Sequence, residues 1–99
     1  MPIEIARIKV REGCEAEFEK GVAKAAPLFQ RARGCLGMEL RRLHEPPRPF
    51  MLVVRWETLE NHTEDFRNSE DFQTWRALVS PYFAEPPQVE HLELCEHHF

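Results

Sequence analysis

The spacing of apolar residues along this chain switches between a period of two and a period of 3.6, and the order of the switches admits few folds. Residues 3–10, IEIARIKV, are rich in β-branched side chains with partial alternation, and the REG that follows reads as a turn, so the first element is a strand. From Glu15 to about Arg33, Phe18, Val22, Ala25, Phe29 and Ala32 recur at steps of three and four, which lines one face of a helix. Pro27 lacks an N–H and crowds the turn before it, so a kink or restart is expected near Ala26, and Gly34 suits the helix stop. Cys35 to Glu45 alternates again, PPRP at 46–49 makes a rigid loop, and Phe50 to Glu57 is the antiparallel neighbour of the strand before it. Thr58 is a good cap for a helix starting at Leu59, and Ser69 caps a second segment whose Phe72, Trp75, Val79 and Phe83 share a face, so this helix is long or broken near Asn68. Pro86 and Pro87 end it, and Val89 to Glu96 is the last strand. The order β-α-β-β-α-β predicts an α+β domain of the ferredoxin-like kind, with a four-stranded antiparallel sheet and both helices on one face.

A chain of 99 residues has room for one domain, here 1–99. A domain of this size buries only about 60–65% of the surface that its unfolded chain exposes, so a self-association face would add core that the monomer lacks. The 13 Lys and Arg are interleaved with 17 Asp and Glu for a net charge of -4, which offers no basic patch to nucleic acid or to an anionic membrane. The N-terminal MPIEIARIKV has no uninterrupted apolar stretch of the secretory type, and no apolar run approaches the ~20 residues that span a bilayer, so a cytoplasmic protein is expected. Cys14, Cys35 and Cys95 are odd in number and form no CxxC, which fits reduced thiols. Cys95, His97 and His98 match no structural zinc spacing, and the four glycines form no nucleotide-binding loop, so neither metal nor cofactor is expected.

Dividing the strands between two faces gives Ile8, Val10, Leu36, Met38, Leu40, Phe50, Leu52, Val54, Trp56, Leu92 and Leu94 to the helix-covered side. The other face carries Arg7, Lys9, Glu39, Arg41, Arg55, Glu57, His91 and Glu93 together with the apolar Ile3, Ile5, Met51, Val53 and Val89. A mixed patch of that kind usually marks an interface, so a homodimer is expected through Arg7, Glu39, Arg41, Arg55, His91 and Glu93.

With these elements placed, residues 56–93, WETLENHTEDFRNSEDFQTWRALVSPYFAEPPQVEHLE, resemble the second half of an antibiotic-biosynthesis-monooxygenase (ABM) domain. A strand-ending Trp-Glu, a helix with His then Phe-Arg-x-Ser, a Phe-x-x-Trp helix and a closing Val-Glu-His strand are the shared marks. The resemblance implies a dimeric α+β barrel, in which two sheets face each other, and a substrate cavity between sheet and helices. One group within that family oxidises polycyclic phenols to quinones with O2 and without metal or flavin; there the Trp of the WE motif contributes to the site, and Trp56 matches it. Two positions differ from that group: Leu52 stands where it has Asn, and His62 where it has Tyr. A haem-degrading group uses a strand Asn, a helix Trp and a His ligand, at whose places this chain has Ala6, Phe66 and Arg76. Arginine has no lone pair to offer iron, so haem degradation by that route is not expected.

The reading for function is therefore a cofactor-independent monooxygenase acting with O2 on a small aromatic, phenolic or quinol-like molecule. The alternative is a dimer that binds or senses a small hydrophobic ligand without chemistry. His62, beside Leu59 and Phe66 on the second helix, is either a structural histidine or a base whose unperturbed pKa of about 6.5 suits proton abstraction near neutrality. Trp56 either fills core or donates its N–H to a substrate oxyanion. Leu52, Phe66, Phe72, Trp75 and Arg76 are the candidate lining of the cavity, with Arg76 able to meet an anionic group.

Overall fold

A computed structural model describes residues 1–99, and its elements follow the expected order. Strand β1 is Ile3–Ile8, helix α1 Glu15–Gln30, β2 Cys35–Arg42 and β3 Phe50–Trp56. A π-helical segment, Asn61–Phe66, precedes helix α2, Glu70–Val79, and a 3-10 turn at Ser80–Tyr82 leads to β4, Gln88–Leu92. The strands lie in the order β2-β3-β1-β4 with every pairing antiparallel, as the ferredoxin-like topology requires. Both helices cover one face of this sheet, and the molecule is a slab of 38 × 34 × 19 Å. Its core is the layer between them, where Phe18, Ala25 and Phe29 of α1 and Val79 of α2 meet Ile8, Leu52, Val54 and Trp56 of the sheet. Each large apolar side chain buried there contributes about 1.5–3 kcal/mol. No helix is long and apolar enough to cross a membrane, and the three cysteines are free thiols.

Several boundaries differ from the sequence reading for local reasons. Helix α1 runs through Pro27 without a restart and stops at Gln30, its last amides turning onto Pro27 and Phe29 carbonyls before Gly34 takes a positive φ of 77°. Strand β1 ends at Ile8, and Val10 makes only an isolated bridge to Phe83. A bulge between Cys35 and Gly37 turns Leu36 outward, so it is half exposed rather than core.

The fourth strand is a correction. It starts at Gln88, and its register sets Val89 beside Ala6 and His91 beside Glu4, which puts Val89 and His91 on the helix-covered side. Leu92 pairs with Ile3 on the open face and is 52% exposed, while Glu93 and Leu94 lie beyond the strand. With apolar residues on both faces of the neighbouring β1, hydrophobicity alone does not choose the parity of this edge strand, and a shift of one residue inverts it. His91 is thus no member of the open face. That face carries Arg7, Glu39, Arg41 and Arg55 as expected, with Glu39 and Arg41 paired at 2.8 Å.

Candidate functional site

The site begins with a carboxylate on the inward face of a strand. Glu4 shares its parity on β1 with Ala6 and Ile8, all three are buried, and Glu4 is 5% exposed. Burial of a carboxyl without partners would be costly, and two groups meet its Oε1. The indole Nε1 of Trp56, at the end of β3, donates to it at 3.0 Å, and His62 Nε2 lies 3.3 Å away. His62 is brought there by the π-helical segment. Its first turn is pinned by Thr58, whose backbone N–H and hydroxyl both donate to Asn61 Oδ1, while the Asn61 amide donates to Asp65. The widened turn is closed by the Arg67 N–H on the His62 carbonyl, a spacing of five residues that sets His62 and Phe66 both inward. The His62 ring then stacks on Trp56 at 5.3 Å and 17°, and its Nδ1 meets Nε2 of His91 at 2.7 Å.

Burial is the main force on the charges here. It raises the Glu4 carboxyl from 4.5 to about 7, against the lowering effects of the Trp56 hydrogen bond and the Arg67 charge. The same burial, followed by the charges of Arg67 and His91, lowers the His62 imidazole to about 4, and His91 is also lowered, by burial and then Arg67. By distance Glu4 and His62 would count as an ion pair, but between about pH 4 and 7 both are neutral and the contact is a hydrogen bond. Glu4, not His62, is therefore the group that changes charge near neutrality.

Glu4 and His62 line a cavity of about 280 Å³ between the sheet and α2. Leu52, Phe72, Trp75 and Arg76, four of the five expected lining residues, are on its wall. Ala6, Ile8, Phe83, Pro87 and Val89 add apolar surface, and Arg67 joins Arg76 as a second guanidinium. Two expected positions are elsewhere. Phe66 packs behind the wall between Phe29, Trp56 and Phe72, and Trp56 is fully buried, its N–H committed to Glu4 rather than open to a ligand. The sequence reading missed Glu4 and Arg67. Glu4 was within reach of it, since a carboxylate at the same parity as the core residue Ile8 points inward.

The geometry has counterparts among known proteins. The family model described as antibiotic biosynthesis monooxygenase matches residues 1–78. The Bacillus subtilis protein YczJ is 39% identical over 90 residues, covering 91% of this chain and 95% of that protein. A Bordetella bronchiseptica crystal structure, of a protein named for the same monooxygenases, superposes with a TM-score of 0.91 at 57% identity over 96% of this chain and 97% of that one. SnoaB of Streptomyces nogalater, a cofactor-independent oxygenase, shares the fold at a TM-score of 0.81 with 17% identity, over 97% of this chain and 94% of its own.

Proposed function

The chain belongs to the antibiotic biosynthesis monooxygenase family, and on that premise we propose that it is a cofactor-independent monooxygenase of a small phenolic or quinol-like aromatic, working as a homodimer in the cytoplasm. The observation that carries this reading is Glu4: a buried carboxyl that ionises near neutrality on the wall of an otherwise mostly apolar cavity. Chemistry without a cofactor asks for a base, a water-poor cavity and positive or donor groups for the anion that forms. Glu4 supplies the base, the aromatic and aliphatic wall the cavity, and Arg67 and Arg76 the positive charge.

Removal of the hydroxyl proton by Glu4 leaves an electron-rich phenolate, which reduces O2 itself. For a phenol the balance is phenol plus O2 giving quinone plus water, so one oxygen atom enters the product, the other leaves as water, and the substrate supplies all four electrons. The activity of SnoaB, which shares the fold, is consistent with this chemistry on such a scaffold.

Incubation of a phenol and quinol panel under labelled O2 tests the proposal. A product carrying one labelled oxygen per molecule is expected, with no added metal, flavin or reductant. Compounds that raise the melting temperature without consuming O2 would instead support the ligand-binding alternative.

A further inference from the structure

The proton that Glu4 takes from a phenol is returned within the turnover, because the hydrogens the substrate loses end in the water formed. The proton that a neutral Glu4 carries beforehand is a different one, and it must leave before Glu4 can act as a base although substrate closes the cavity side. A second hydrogen-bonded route leaves Glu4 through two histidines. Its Oε1 meets His62 Nε2 at 3.3 Å, and His62 Nδ1 meets His91 Nε2 at 2.7 Å. His62 faces the cavity, whereas His91 lines a separate surface groove with Met1, Pro2, Leu59 and Glu93. The two imidazoles thus join the interior site to a second opening that shares no lining residue with the cavity.

We infer that Glu4, His62 and His91 form a proton path from the cavity to this groove, with His91 as its outer end. The inference rests on the reading of Glu4 as the base, although its test needs no turnover.

Two nitrogens 2.7 Å apart must share one proton, because two N–H groups or two lone pairs would repel. A metal ion does not fit between them, since zinc bound at about 2.0–2.1 Å to each nitrogen would hold them much farther apart. The state of Glu4 therefore sets both tautomers. With Glu4 ionised, His62 donates from Nε2 to the carboxylate and accepts at Nδ1 from the Nε2–H of His91. With Glu4 protonated, its O–H donates to His62 Nε2, His62 carries its proton on Nδ1 and donates to His91 Nε2, and His91 carries its proton on Nδ1, the nitrogen left for the groove. Release from the second state is a concerted shift. The Glu4 proton passes to His62 Nε2, the His62 Nδ1 proton to His91 Nε2, and the His91 Nδ1 proton to water, which returns Glu4 to its carboxylate. Tautomer exchange of the two rings resets the path.

Other groups face this line without extending it. Arg67 acts on all three members, Trp56 holds Glu4 through its N–H, and the Cys35 thiol senses Glu4 with Arg55 beside it. Glu93 and the chain start border the groove. None of them offers a second hydrogen-bonded route between Glu4 and His91.

Long-range proton–nitrogen NMR of the wild-type protein labelled at histidine reads each tautomer directly. As pH crosses the titration of Glu4, the His62 and His91 signals are expected to exchange their protonated nitrogen together, from Nδ1 to Nε2. In Glu4→Gln neither ring should switch. Independent behaviour of the two rings, one ring unchanged through the titration, or a switch that survives Glu4→Gln would overturn the path. Because the readout is spectroscopic, absence of oxygenase activity leaves it standing, and loss of the tautomer switch leaves the oxygenase reading to its own test.

Discussion

At the scale of single residues, burial moves the charges of Glu4 and His62 in opposite directions. In the fold Glu4 keeps its proton up to about pH 7, whereas an ordinary glutamate loses it near 4.5, so the folded state holds the extra proton and stability falls as pH rises through that window. His62 behaves in reverse. Its folded value of about 4 lies below the ordinary 6.5, so the unfolded chain holds the extra proton and stability falls as pH drops from 6.5 toward 4. Each slope is at most about 1.4 kcal/mol per pH unit, and where the windows overlap they offset each other. His91, also lowered, adds to the His62 slope, so between pH 4.5 and 6.5 denaturant titrations should place the wild-type slope between those of the two single variants. Glu4→Gln should become more stable as pH rises over this range, and His62→Gln less stable. Parallel profiles for all three proteins would refute the assigned charge states.

At the scale of elements, the placement of His62 depends on how the π-helical segment is anchored. Gly34 has a φ of 77°, and a Cβ there would collide with Asn61 Oδ1, the atom that also accepts from Thr58. Gly34→Ala is expected to destabilise by more than ~1 kcal/mol, from the backbone conformation and from displacement of Asn61. It should also loosen the neighbouring His62, seen by NMR as a mixture of tautomers at a pH well below the Glu4 titration, where one is expected in wild type. An unchanged melting temperature would show that the contact is not tight.

The segment also marks where the sequence was legible. Thr58 and Ser69 act as the caps their positions suggest, and the break falls near Asn68, because capping chemistry is local and readable. A π turn has no comparable signature, so a helix with ordinary spacing was expected there. Strand β4 was misassigned between faces because its alternation fits either parity. Cavity residues on α2 were legible from their shared face. Glu4 was hidden by reading β1 for its hydrophobic residues alone.

At the scale of the molecule, the 19 Å dimension is that of one sheet and one helix layer, and the far face of the sheet has no cover within the chain. Ile3, Ile5, Met51 and Val53 lie there among Arg7, Glu39, Arg41 and Arg55, so two such faces packed about a two-fold axis would bury apolar centres and cross-pair the charges. Light scattering should give twice the 11.7 kDa chain mass, and Val53→Glu, at the middle of the face between Ile5 and Glu39, should give a single chain. A monomeric wild type would remove the dimer. The assignment of Glu4 as the base for oxygenation in the cavity is tested at this scale as well. Its most direct measurement is oxygen consumption with the best phenolic substrate, wild type beside Glu4→Gln, at a pH above 7 where Glu4 is ionised. Consumption by wild type and a rate lower by about 10²–10⁴ in Glu4→Gln, with the variant still folded, is the predicted result. Equal rates in the two proteins, or no consumption by wild type from any compound it binds, would contradict it.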